Sequence, residues 1–201
     1  MSYWDEFYKT FNDTTPTPFA RECVSPHSAF KISTHDRVVD LGCGTGRDTL
    51  FFISQGIQAI GVDACELAIE RIKPNALQCD FSNLDTLALP FTPTVVYARL
   101  VVHAVPLYVE YNLIRWIASV LPSGGRFLTE NRTTFDELHG KGTKISENEY
   151  INGHYRRFLD ESFIDRLREV GLMPKTRQLG NGFAVRNGED PIVLRLEAVK
   201  Q

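Results

Sequence analysis

Residues 38–49 read VVDLGCGTGRDT, and this segment limits the fold more than any other part of the chain. Its apolar run suits a strand buried on both faces, and the Gly-x-Gly-x-Gly that follows suits a turn whose backbone N–H groups stay open to a ligand. A helical stretch then continues to residue 55. Two parallel strands need such a crossover helix between them, so a second strand is expected beside the first. Residues 57–62 supply it after Gly56 and end at Asp63, and a short helix from about Glu66 is closed by Pro74. Further strands are expected at 76–79, 95–98, 126–129, 175–179 and 192–199, with helices at 106–120 and 161–170. The second of these helices has Asp160 as a cap, Phe163, Ile164, Leu167 and Val170 on one face, and Gly171 as a stop. This alternation predicts an α/β sandwich around a mostly parallel sheet.

The 201 residues have a near-average composition and fit one domain with enough apolar side chains to cover both faces of that sheet. A formal net charge of -3 argues against broad electrostatic binding to nucleic acid. No apolar run approaches the roughly 20 residues that span a bilayer, and the start around Asp5 and Glu6 lacks the basic-then-apolar pattern of an export signal. A cytoplasmic protein without membrane insertion is the expectation. Cys23, Cys43, Cys65 and Cys79 form no C-x-x-C pair and have no histidine at metal-ligand spacing, so no metal is expected.

Before the core, Trp4, Phe7, Tyr8 and Phe11 recur at helical spacing over residues 3–11, and prolines then break the pattern before a second helix from about residue 19. The first helix has no place in the sheet sandwich. It either folds over the ligand edge as a lid, bringing Trp4 and Tyr8 to the ligand, or packs against the domain.

Dinucleotide-binding enzymes also open with a glycine loop, but their fingerprint wants a small residue three positions after the second glycine. Here that position is Arg47, and the third glycine comes earlier, at Gly46. Asp63 lies about 20 residues on, where an acid can grip the two ribose hydroxyls of an adenosine ligand. Together with Gly61-Val62-Asp63 and Cys79-Asp80-Phe81, the block from Val38 to Gly46 resembles the class I S-adenosylmethionine (SAM) dependent methyltransferase family over roughly residues 35–130. The resemblance implies a Rossmann-like fold with a seven-stranded, mostly parallel sheet, helices on both faces, and the last strand antiparallel between two others. It also implies S-adenosyl-L-methionine as cofactor. The methionyl part would lie on Gly42, Cys43, Gly44, Thr45 and Gly46, the ribose on Asp63, the adenine amino group on Asp80 and the ring beside Phe81. Asp40, Ala64 and Arg99 complete the cofactor candidates in the core.

The acceptor should adjoin the loop after the fourth strand, Ala98-Arg99-Leu100-Val101-Val102-His103. It carries no Asn/Asp-Pro-Pro-aromatic signature of amino-methyltransferases, which favours oxygen over nitrogen. His103 is either a general base or a hydrogen-bonded structural histidine. Arg99 needs an anionic partner, in a ligand or within the chain. Arg132, Tyr155, Arg156 and Arg157 are the other substrate-binding candidates. In this region the sequence resembles small-molecule methyltransferases of the tellurite-resistance type and those of bacterial surface-glycan pathways. The plainer reading is that Lys141, Lys144, Arg156 and Arg157 form a solvated face.

The expected organisation is a single domain over 1–201, with a helical lid at 1–30, a SAM-binding core at 31–130, an acceptor-side insertion at 131–158 and a C-terminal helix with strands at 159–201. The expected function is methyl transfer to an oxygen of a small anionic or sugar-like acceptor. The alternatives are a nicotinamide-dependent oxidoreductase and a non-catalytic SAM-binding regulator.

Overall fold

A computed structural model describes residues 3–186 and 188–201. In chain order its strands are β1 (Arg37–Leu41), β2 (Gln58–Asp63), β3 (Ala76–Gln78), β4 (Val95–Arg99), β5 (Arg126–Arg132), β6 (Thr143–Ser146), β7 (Glu149–Asn152), β8 (His154–Arg157), β9 (Leu172–Gly180) and β10 (Val193–Lys200). The helices are α1 (Tyr3–Thr10), α2 (Pro18–Val24), α3 (Arg47–Ser54), α4 (Glu66–Glu70), α5 (Leu107–Val120) and α6 (Ser162–Glu169).

Seven strands form the main sheet in the order β3-β2-β1-β4-β5-β10-β9. The first five are parallel, and β10 runs antiparallel to both β5 and β9. The dinucleotide-binding fold continues its 3-2-1-4-5-6 order with parallel strands, so this topology gives the nicotinamide alternative no support. Side chains alternate across each strand, and the two faces have separate cores. Val39, Leu41, Val96 and Ala98 pack with Leu113 and Ile117 of α5 and Phe163 and Leu167 of α6. Val38, Val95 and Tyr97 pack with Phe19 of α2 and Phe52 of α3. Helices therefore cover both faces, as the resemblance implied. The order reverses between β1 and β4, and in open α/β sheets ligands bind outside the carboxyl ends of the strands at such a point.

Two strands run past their expected ends. β5 continues through Glu130, Asn131 and Arg132, whose polarity hides the strand signal although all three are buried and partnered. β9 begins at Leu172, immediately after Gly171 (φ +78) ends α6. Asp160 does hold the start of that helix, accepting the Ser162 N–H at 3.0 Å. The 131–158 segment contains the end of β5 and a separate antiparallel sheet, β6-β7-β8. The 159–201 segment holds α6, β9 and β10, and 1–30 holds α1 and α2, with residues 1 and 2 outside the described residues. No helix among the described residues is long and apolar enough to cross a membrane. All four cysteines are buried and free.

Candidate active site

The glycine loop is shaped by contacts that leave no room for a side chain. Gly42, Gly44 and Gly46 have φ of +67, +53 and +74, which L-residues adopt only with strain. A Cβ on Gly42 would come within 2.3 Å of Val101 Cγ2, and one on Gly44 within 2.3 Å of the Tyr8 hydroxyl. The loop is tied to the second strand by three backbone donors, of which Cys43 N–H reaches Val62 O at 3.2 Å. Gly42 N–H donates to Val62 O at 2.7 Å, and Gly44 N–H donates to Asp63 Oδ2 at 2.9 Å. The other oxygen of Asp63 accepts the Cys65 N–H at 2.9 Å. Burial raises the Asp63 carboxyl above its ordinary range, while the N–H groups of Cys65, Gly44 and Ala64 pull it back. Asp40 is buried and accepts the Thr49 hydroxyl at 2.6 Å. Desolvation, reinforced by Asp48, pushes its carboxyl well up.

A cavity of about 690 Å³ opens over this edge, within the range of roughly 300–1,000 Å³ typical of small-molecule sites. Every cofactor candidate named from the sequence lines it except Gly46, which starts α3 and packs against Ile72. Asp80 lines the cavity and also starts a 3-10 turn, with its Oδ1 accepting the Ser82 N–H at 2.7 Å. The turn-forming role and a ligand-facing position are thus compatible at this residue.

On the acceptor side the four candidate arginines separate. Arg99 lines the cavity, but its Nε donates to Glu130 Oε1 at 2.8 Å, so its anionic partner lies within the chain. Arg132 also lines it and is paired with Asp136 at 3.0 Å and with Glu189. Arg156 lines it and, among the described residues, has no carboxylate at ion-pair distance. Arg157 does not line it. Its guanidinium is buried against Glu110, which also pairs with Arg166, and donates to Val102 O at 3.2 Å. Burial and Arg166 lower Arg157 to about 10, which leaves it charged at neutral pH. The reason is the two-residue period of β8: His154 and Arg156 share the cavity face, while Tyr155 and Arg157 point away. Of the substrate-side candidates on β8, Tyr155 and Arg157 lie outside the cavity lining, and His154, which carries no signal in the sequence, lies within it.

His103 lines the cavity in a 3-10 turn, Val102–Ala104, and is 6% exposed. Its backbone N–H donates to Asn131 Oδ1 at 3.2 Å, whereas its ring Nδ1 is buried without a partner among the described residues. That does not match a hydrogen-bonded structural imidazole. Burial first, then Arg132, Arg156, His154 and Arg157, push its pKa well below the usual histidine range, so the ring is neutral at physiological pH. A general base works best with a pKa near the operating pH, and burial moves His103 away from it. Leu100 adopts φ +56, rare for a residue with a side chain, and is held by its N–H to Glu130 O at 2.7 Å.

The fourth wall is α1. None of its residues is buried, and Tyr3, Trp4, Phe7 and Tyr8, with Phe11 just beyond its end, all face the cavity. Arg71 of the turn after α4 donates to Phe11 O at 2.7 Å and to Tyr8 O, satisfying carbonyls at the helix end. Arg186 lies 4.4 Å from the Phe11 ring centroid, and Arg47 pairs with Asp13 at 3.3 Å. Arg47, Arg186 and Glu189 line the cavity without having been singled out as ligand contacts. The last two lie in the connection between β9 and β10, which carries no sequence signal for a site. Because α1 adds little to the core, Tyr8→Ala is expected to leave the melting temperature within about 2 °C while weakening SAM binding at least about fivefold, roughly 1 kcal/mol. Parallel calorimetry and thermal unfolding of the variant measure both; a large fall in melting temperature with unchanged SAM affinity would make α1 a packing element.

A family model described as a methyltransferase domain matches residues 19–174. The chain belongs to the methyltransferase domain family. The uncharacterized methyltransferase sll0829 of Synechocystis is 29% identical over 105 residues, covering 51% of this chain and 50% of that protein, so the match spans half the length of that relative. Among solved structures, a SAM-dependent methyltransferase from Methanosarcina mazei superposes with a TM-score of 0.71 at 15% identity, over 84% of this chain and 94% of that one. The CcbJ methyltransferase of Streptomyces caelestis gives 0.67 at 15% identity, over 98% and 96%. The 1,6-didemethyltoxoflavin-N1-methyltransferase of Burkholderia thailandensis, solved with S-adenosylhomocysteine, gives 0.60 at 21% identity, over 83% and 71%. At these identities the likeness establishes the fold, that of class I SAM-dependent methyltransferases.

Proposed function

We propose that this protein transfers a methyl group from SAM to an oxygen of a small anionic acceptor. One observation carries the cofactor assignment: Asp63, locked by the Gly44 and Cys65 N–H groups, sits in the cavity with lone pairs to spare. An ionised carboxylate has about four acceptor sites, and the two backbone bonds use only two, leaving room for two ribose hydroxyls. The glycine loop fits the rest, since its backbone can approach a ligand where any Cβ would collide. Asp80 and Phe81 would hold the adenine end. Bound SAM supplies an electrophilic methyl group on a sulfonium.

Support for an ionised oxygen comes from the acceptor side. Burial and the surrounding arginines make His103 a weaker base than an ordinary imidazole, which disfavours its stripping a proton from a hydroxyl. A carboxylate or phosphate arrives already ionised and needs no base. The chain's task is then to orient the acceptor and exclude water, and the aromatic side chains that α1 brings to the cavity wall suit both. The fold does not decide the acceptor atom, since the Burkholderia protein named above is an N-methyltransferase by name.

The test is calorimetric titration with SAM, followed by a thermal-shift screen of carboxylated and phosphorylated metabolites in its presence. Binding of SAM and formation of a methyl ester, read by mass spectrometry, are the expected results. Absence of SAM binding overturns the assignment, and methylation of an uncharged amine overturns its acceptor half.

A further inference from the structure

We propose that the cavity face of β8 is an anion subsite, in which Arg156 and a protonated His154 hold the carboxylate or phosphate of the acceptor against the aromatic helix α1. The identity of the ligand as acceptor rests on the reading above; the subsite itself rests on geometry.

His154 and Arg156 are two residues apart on one short strand, so their side chains leave the same face, and both line the cavity. The two arginines nearest in function are already neutralised, Arg99 by Glu130 and Arg132 by Asp136 and Glu189. Arg156 instead spends its Nη1 on the Asn152 carbonyl at 2.8 Å and lacks an anionic partner among the described residues. A guanidinium carries five donors, so a planar pair of them remains for a bidentate anion. Half-burial of a cation with no carboxylate at ion-pair distance among the described residues is costly: burial and Arg132 lower Arg156, and Glu189 and Asp136 oppose them only from beyond that distance.

His154 is clasped from the other side by α1. Its ring stacks on Tyr3 with centroids 4.4 Å apart and planes 21° from parallel, and lies 5.7 Å from Trp4. An imidazolium against two aromatic faces gains a cation–π attraction that a neutral ring lacks. The groups facing His154 are Arg156 on its own strand, Arg132 from β5, Glu189 from the β9–β10 connection, and the uncharged rings of α1. Burial and the two arginines depress it to about 4, with Glu189 opposing. An anion between Arg156 and His154 reverses the sign of the local field, so the ring should gain a proton as the anion binds at neutral pH. That proton comes from solvent.

The experiment uses the whole chain and two probes that carry no titrating proton near neutrality: sulfate, for a tetrahedral phosphate-type group, and acetate, for a carboxylate. Each is titrated calorimetrically at neutral pH in two buffers of different ionisation enthalpy, with and without SAM. The expected result is saturable binding of one probe with uptake of up to one proton, the stronger probe naming the acceptor's acid. Arg156→Gln should weaken it at least about tenfold, and Arg156→Lys should recover only part. His154→Gln should abolish the proton uptake, and both Arg156 variants should keep the parent melting temperature and SAM affinity. The subsite is overturned if neither probe binds, if Arg156→Gln leaves binding unchanged, or if the parent takes up no proton. Anion binding without SAM binding would leave the subsite standing and remove the methyltransferase reading; SAM binding without anion binding would do the reverse.

Discussion

Asp63→Ala is expected to lower SAM affinity at least about 100-fold, roughly 2.7 kcal/mol. Two hydrogen bonds from ribose hydroxyls to a charged acceptor, at about 1.5–3 kcal/mol each, account for that loss. The variant will also lose some stability, because the same carboxylate accepts the Gly44 and Cys65 N–H groups and their removal leaves two donors unpaired. Asp63→Asn separates the effects, since its amide oxygen can keep one backbone bond while the negative charge is lost. A pH dependence follows from the raised carboxyl of Asp63. A folded-state value above the unfolded one means that this group's contribution to stability is full below the unfolded pKa and is lost as pH rises through the folded one. Hydroxyl donors favour the ionised form, so SAM binding should release a proton on the acid side and its affinity should rise with pH through that window. Calorimetry across the acid range on parent and Asp63→Asn checks the slope; identical slopes, or unchanged SAM affinity in Asp63→Ala, would remove Asp63 from the cofactor site.

Glu130→Ala is expected to destabilise the protein by about 3–5 kcal/mol, because it strips the shared partner from one buried and one partly buried cation. Glu130 is fully buried and accepts Arg99 Nε at 2.8 Å and Arg195 Nε at 2.7 Å. Arg195 in turn pairs with Glu22 of α2, donates to Phe183 O at 2.8 Å, and has the Phe19 and Phe183 rings 4.9 and 4.7 Å away. Glu130 thus ties the end of β4 to β10, and Arg195 carries the network on to α2 and to the β9–β10 connection. For a domain of this size such a loss corresponds to a fall in melting temperature of roughly 6–20 °C. Glu130→Gln, which keeps the shape and an acceptor oxygen, should lie between. A loss below about 1 kcal/mol for the alanine variant in denaturant unfolding would mean that solvent reaches the two arginines, and Arg99 would again be available to a ligand.

Much of the fold was legible because its signals are local. The apolar run before Gly42 and the three glycines specify a strand and a turn wherever they are placed, since no side chain is tolerated at those φ values beside Val101 and Tyr8. Gly56 and Gly171 mark helix ends for the same reason. Strand limits were lost where polar residues are buried: Glu130, Asn131 and Arg132 look like a loop until their partners, up to 65 positions away, are known. The turn-rich 131–158 segment hid a small sheet because its strands are short and mostly exposed, with no apolar alternation to announce them.

The sequence by itself determined the sheet core, the glycine loop and the position of Asp63, all set by backbone sterics and hydrophobic period within a few residues. Only the tertiary structure decided what each arginine does. An arginine's role depends on whether a carboxylate lies within a few ångströms, and those carboxylates come from elsewhere in the chain: Glu130 for Arg99, Glu110 for Arg157, Glu189 for Arg132. Which way β8 faces was equally invisible, because a one-residue change of register exchanges Arg156 for Arg157 at the cavity, and that register is held by pairing with β7 and by the buried contact of Arg157 with Glu110 of α5, a partner 47 positions away.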